Sequence, residues 1–239
     1  MLEGLIDHAA LFPPASMSLE DALAEDRAAR ESDAAALIAR FVVPADRVGD
    51  LPAGGPPLSV VLTDASAHPP ADDRIEAFEL PLSAPRPRPA DLLETFRELE
   101  PAGVEVFFEL VLDDGWRDSI PAAVGQIAVL GARVKLRCGG AYTPTVEQVA
   151  LVIAVCRDAG VGFKCTAGLH HAVRRGDEHG FLNILAATGT PNPDLESVLA
   201  EENVAGLDLD AADRSLFRSF GSCSWREPVD DLEELGLLT

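Results

Sequence analysis

The sequence predicts an α/β protein, a single-domain (β/α)8 TIM barrel over residues 1–239, on three observations. Short β-like runs alternate with segments of helical spacing, which is the pattern of βαβ units and a parallel sheet. The number of such units in 239 residues suits one barrel. Start and stop signals fall where the alternation needs them. An open doubly wound sheet is the alternative architecture.

In chain order, Ser18 precedes an apolar-periodic run with Asp21 three residues on, which predicts a helix over residues 18–38. Strands follow over 39–43, 58–62 and 75–80, where β-branched or aromatic residues cluster. Pro- and Gly-rich loops lie at 49–57 and 81–89 and are too short to link domains. A helix over 90–99, a strand over 104–112, a helix over 120–130 and a strand over 132–137 continue the alternation. Thr145 opens a helix over 145–159 and Gly160 stops it before a strand over 161–166. Residues 181–187 fit a helix or a strand, 204–209 a short strand, and 216–223 a last strand. The seventh strand finds no clear position between Gly180 and Phe217.

Forty acidic against nineteen basic residues give a net charge of −21. With no basic patch or cationic helix, nucleic acid and anionic membranes are excluded as partners. Acid runs at 19–26 and 230–234 read as solvated helix faces. Cys138, Cys156, Cys165 and Cys223 form no C-x-x-C pair and read as reduced thiols of a cytoplasmic protein. The N-terminus has acid where a leader needs base, and Asp7 and Pro13-Pro14 break its apolar run. A small-molecule substrate is the expected partner, with no cofactor and no metal. Oligomeric state stays open, a homo-oligomer included.

The chain has seventeen arginines but only two lysines, Lys135 and Lys164, both inside β-like runs. Arg replaces most surface Lys, but it cannot form an imine. Alternation puts Lys135 and Arg137 on one face of their strand, and Lys164, Thr166 and Gly168 on one face of the next. If both faces point inward, the amines lie on strands about 4.8 Å apart. Cations that close are expected to depress each other's pKa and free a neutral amine. Glu109, on the preceding strand, is placed to neutralise one amine or move a proton. The competing reading is a Glu109–Lys135–Arg137 ion-pair cluster that only fills the barrel. Cys138 and Cys165 are expected to face the helices.

Other candidates surround this pair. Asp7 and His8 put a carboxylate and an imidazole at the mouth, unless Asp7 caps a helix. Gly139-Gly140 lets backbone amides approach a ligand, and Tyr142 offers a phenol. Arg137 and Arg174-Arg175 are candidate carboxylate or phosphate clamps. His170, His171 and His179 cluster after the Lys164 strand. They suit acid–base work, His170 foremost, a substrate contact from His171, or a metal site completed by Asp177 or Glu178. Trp225 either lids the pocket or packs on the final helix.

Three segments, in order, resemble the deoxyribose-phosphate aldolase family of class I aldolase barrels. Residues 5–13, LIDHAALFP, resemble its opening IDHT-L-x-P segment. Residues 159–168, AGVGFKCTAG, resemble its AGADFVKTSTG strand. Residues 218–224, RSFGSCS, resemble its RIGTSSG phosphate-binding turn. The resemblance implies Lys164 as the Schiff-base nucleophile, Lys135 as a lysine on the strand before it, and Gly221 and Ser222 as anion holders. The chain departs where the family has a second lysine on a seventh strand, since no lysine follows Lys164. The family's acidic EIDMV strand leaves Glu79 or Glu109 to serve, and Ala9 stands where the family has Thr. The expected function is a class I, Schiff-base aldolase-like lyase acting on a small carbonyl compound, phosphorylated or carboxylated. The alternatives are a metal-assisted hydrolase or isomerase using His170, His171 and His179, and a non-catalytic ligand-binding barrel.

Overall fold

Eight parallel strands close into a barrel in sequence order in the computed structural model, which describes residues 1–63, 71–99 and 103–238. The strands are β1 (Ile6–His8), β2 (Ile38–Pro44), β3 (Leu58–Val61), β4 (Ile75–Pro81), β5 (Glu105–Glu109), β6 (Arg133–Arg137), β7 (Phe163–Thr166) and β8 (Phe217–Ser222). The described α-helices are α1 (Leu19–Arg30), α2 (Pro89–Leu99), α3 (Trp116–Leu130), α4 (Val146–Ala159), α5 (Phe181–Gly189), α6 (Leu195–Ala200) and α7 (Arg226–Glu234). No described helix is long and apolar enough to cross a membrane.

Closure depends on a strand the periodicity does not show. β1 has three residues, too few for a periodic signal, yet it pairs with both β2 and β8. The backbone N–H of Ala9 then donates to the Ser222 carbonyl at 2.7 Å. With β1 in place, the Lys164 strand becomes the seventh, and the chain runs through α5 and α6 to β8 with no strand between. The sequence count was therefore short by one at the start. Residues 204–209, expected as a strand, hold a 3-10 turn at Val204–Gly206. The first helix stops at Arg30 rather than 38, because a separate 3-10 turn at Ala35–Leu37 leads into β2.

Helix ends follow local chemistry. Ser18 accepts a bond from the Asp21 N–H, and Thr145 with Gln148 forms a reciprocal capping box. Gly131 and Gly160 end α3 and α4 in the left-handed conformation, at φ of 69° and 65°. The helices bury hydrocarbon against the outward faces of the strands. Phe181 of α5 stacks on Phe220 of β8 at 4.7 Å between ring centroids, and Phe163 on Phe217 at 5.3 Å. Each such ring, fully removed from water, contributes about 1.5–3 kcal/mol.

The inward faces differ. Barrel interiors are usually packed with branched hydrocarbon side chains. Here β6 reads Arg-Val-Lys-Leu-Arg, so its inward residues are cationic and its outward ones apolar. At the amino-terminal end, Glu105 receives Arg40 at 2.7 Å, Arg133 at 2.5 Å and Arg218 at 3.3 Å. Above that layer lies a second charged layer that includes both lysines.

Candidate active site

Lys135 and Lys164 are register partners across β6 and β7, and Glu109 pairs with Lys135 across β5 and β6. Period-two alternation therefore delivers both amines to one level of the interior. Their common partner is Glu79 of β4. Its Oε2 lies 2.9 Å from Lys135 Nζ, and its Oε1 lies 2.5 Å from Lys164 Nζ. Lys164 also donates to Asp7 Oδ2 at 2.5 Å, and Lys135 lies 2.9 Å from Glu109 Oε2. Hydroxyls complete the carboxylates: Ser59 donates to Glu79 at 2.5 Å and Ser219 to Asp7 at 2.6 Å. Asp7 takes a further bond from the backbone N–H of Arg40 at 3.2 Å. Arg137 Nε reaches Glu109 Oε1 at 3.0 Å.

This electrostatic arrangement corrects, for Lys164, the expectation of a lowered amine pKa. Burial alone would lower that of Lys164, but the Asp7 and Glu79 charges outweigh it and hold the amine above its ordinary value. Burial alone would raise Glu79. The Lys135 and Lys164 ammonium groups, with bonds from Lys164 and Ser59, hold it well below the usual carboxylate range. Glu109 is likewise lowered, burial being outweighed by Lys135 and Arg137. Carboxylates interleave the amines, so each cation meets opposite charge before it meets its neighbour. Lys164 is sealed at 0% exposure, whereas Lys135 retains 4%.

The cluster forms the floor of a cavity of about 760 Å³ at the carboxyl ends of the strands, within the usual range for small-molecule sites. Glu79, Lys135 and Lys164 line it, while Asp7 lies beneath. Of the sequence candidates, Arg137, Gly139, Gly140, Thr166, His170, Gly221 and Ser222 also line it. Glu109 reaches it through Lys135 and Arg137.

Other candidates lie elsewhere. Tyr142 is exposed and donates to Gln148 Oε1 at 2.7 Å, which ties it to the α4 cap rather than to the cavity. His171 stands between Glu178 and Asp231, each at 3.4 Å, and is not a cavity residue. His8 alternates outward from Asp7 and meets Asp26 of α1 at 3.4 Å. Trp225 is buried at the start of α7 rather than lidding the cavity. Ser222 donates its hydroxyl to the Ser224 carbonyl at 2.6 Å.

The three clustered histidines separate. His170 pairs with Glu227 at 3.0 Å. His179 is buried, and its Nε2 bonds the Pro144 carbonyl at 2.7 Å, with Arg174 3.4 Å from Nδ1. Burial and the Arg174 charge lower its pKa despite the carbonyl bond, which suits a neutral ring pinning two loops. Among the described residues no group of three or more His, Cys, Asp or Glu side chains is placed to hold a metal. The metal-assisted alternative therefore loses its ligand set.

Gly139 has a role other than ligand approach. A Cβ there would lie 2.6 Å from the Gly168 Cα, so the β6 and β7 loops cross backbone to backbone. Gly168 at φ 67° and Ala167 at φ 58° turn the β7 loop over the cavity in the left-handed region.

Ser59 and Ser219 went unnoticed in the sequence, and Glu79 entered only as a substitute acid. Each sits within an alternating run, the one local sign of an inward polar residue. No family model matches the chain, and no curated protein matches it.

Proposed function

We propose that this barrel is an imine-forming lyase for a small carbonyl compound, with Lys135 as the attacking amine and Lys164 as a fixed cation. The observation that carries the proposal is the pairing of the chain's two lysines on one carboxylate at the floor of a ligand-sized cavity. A barrel needs no such layer to be stable, since a buried ion-pair cluster is often no better than packed hydrocarbon. Barrels of this type carry their chemistry at the carboxyl ends of the strands, where this cluster sits.

The assignment of roles follows from exposure and charge. Lys164 also lines the cavity but is held between Asp7 and Glu79 with a raised pKa, which suits a permanent ammonium. Lys135 lines the cavity with the Glu109 carboxylate 2.9 Å from its amine. The resemblance gives the imine to Lys164 instead; the present assignment departs from it on the surroundings of the two amines, Lys164 standing on the seventh strand and Lys135 on the sixth.

In this reading Lys135 passes a proton to Glu109, and its lone pair adds to the substrate carbonyl carbon. The carbonyl oxygen regains that proton, takes a second that the amine nitrogen gives up through Glu109, and leaves as water, giving a protonated imine. Electrons of the adjacent carbon–carbon bond flow into the imine as the β-hydroxyl proton moves to a carboxylate, releasing an aldehyde and leaving an enamine. Protonation at carbon and hydrolysis restore the lysine. The Lys164 charge favours the electron-rich enamine.

Borohydride reduction of the protein with acetaldehyde, pyruvate or glyceraldehyde, followed by peptide mass analysis, tests this. An adduct on Lys135 that is absent from Lys135→Met is the expected result. A ligand-binding barrel without turnover is the second reading, and the sealed, protonated Lys164 favours it. It predicts no adduct with any carbonyl compound.

A further inference from the structure

The cavity wall opposite the lysines has a composition the proposed chemistry does not require. Among the described residues, its contributions from β2, β3 and the loop after β1 are Ala9, Phe12, Pro13, Pro14, Val42 and Val61, all hydrocarbon side chains. The polar side chains lie on the β4 floor and on β6 to β8. Among the described residues, the polar side chains of this cavity therefore stand on one side.

The charge inventory bears on the other end of the ligand. Lys135, Lys164 and Arg137 each already contact a carboxylate. His170 is turned to Glu227, in the first turn of α7, and Glu178 also lines the cavity. Three fixed cations thus face five carboxylates: Asp7, Glu79, Glu109, Glu178 and Glu227. The Ser222 hydroxyl is already spent on a backbone carbonyl. A phosphate dianion would meet more carboxylates than cations among these residues.

We infer that the substrate is an unphosphorylated carbonyl compound bearing a hydrocarbon group that lies on the β1–β3 wall. This rests on the imine reading for the carbonyl, but not for the hydrocarbon group. A polyhydroxylated chain would leave hydroxyls unpaired on that wall, whereas each methylene placed there gains from leaving water. The carbonyl points to Lys135, and a hydroxyl or single carboxylate on the same end reaches Thr166 or the outer face of Arg137.

Two measurements separate the hydrocarbon inference from the lysine reading. The first is borohydride trapping with acetaldehyde, butanal, hexanal and glyceraldehyde 3-phosphate, scaled to each compound's reaction with a free lysine derivative. Half-saturation is expected to fall about fourfold per methylene, and the phosphorylated aldehyde is expected to trap worst. The second is calorimetric titration with acetate, butyrate and hexanoate, which form no imine, with the same expected slope. Val61→Asn should flatten both series, and Val42→Thr serves if that variant does not fold.

Adducts without chain-length dependence, or protection of Lys135 by inorganic phosphate, would overturn the hydrocarbon inference and leave the lysine reading intact. A rising alkanoate series with no adduct from any aldehyde would do the reverse. A flat alkanoate series, or a slope that both variants leave unchanged, would also overturn it.

Discussion

Replacing Glu79 by glutamine keeps the shape of the side chain and removes the one charge that both lysines share. Glu79 is 2% exposed and Lys164 is 0% exposed, so water cannot take over its role. After the change, Lys135 keeps Glu109 and Lys164 keeps Asp7, but each ammonium has lost a carboxylate oxygen at 2.9 or 2.5 Å. Breaking a buried ion pair from one side costs about 3–5 kcal/mol. With a urea dependence of about 3 kcal/mol per molar, the denaturation midpoint should fall by roughly 1–2 M. The double variant Glu79→Gln/Lys164→Met removes the stranded charge as well. Its loss should be smaller than the sum of the single losses by at least about 2 kcal/mol. A single-variant loss below about 1 kcal/mol, or strict additivity, would refute the claim that these groups form one buried charge unit.

Acid and base should erode this unit from opposite sides. The folded pKa of Glu79 is depressed, so its contribution is present above the unfolded value of about 4.3 and is lost as pH falls through the lower folded value. That of Lys164 is raised, so its contribution is present below about 10.4 and is lost as pH rises through the higher folded value. The stability difference between wild type and Glu79→Gln should shrink below roughly pH 4, and that between wild type and Lys164→Met above roughly pH 10; urea titrations across pH measure both. His179→Ala should cost about 1–3 kcal/mol by leaving the Pro144 carbonyl unpaired, read as a lower urea midpoint. Because the His179 pKa is depressed, that cost should be present above about pH 6.5 and fade as pH falls through the lower folded value. Gly139→Ala should cost about 1–3 kcal/mol, since its Cβ would push the β6 and β7 loops apart, and it should weaken aldehyde trapping on Lys135.

The barrel was legible because α1 to α4 and the strands after β1 carry their own period, whereas residues 181–187 fitted either helix or strand and α6 showed none. β1 was not, because three residues hold no period and its pairing with β2 and β8 is a product of closure. That omission carried into the chemistry, by making Lys164 look like a sixth-strand residue and the seventh strand look empty. The lysine pair was legible from residue scarcity and from alternation within β6 and β7. Its partners were not, because they come from distant sequence. Asp7 lies 157 positions from Lys164, and Glu79 lies 85. Without them, two adjacent cations imply lowered pKa values; with them, the sign reverses for Lys164. The histidines show the opposite error. Nearness in sequence suggested one site, but the loop after β7 turns His179 inward to Pro144 and leaves His170 and His171 to separate acidic partners.

A chain with only two lysines offers a direct view of both amines. Protein labelled with nitrogen-15 at the lysine side-chain nitrogen should give two resonances, assigned by Lys135→Met and Lys164→Met. At neutral pH the Lys164 signal should be that of a protonated, solvent-shielded ammonium, unchanged when an aldehyde is added. The Lys135 signal should be replaced by that of an imine nitrogen. Two ammonium signals that persist across a broad panel of carbonyl compounds, or an imine that forms on Lys164 instead, would contradict the account.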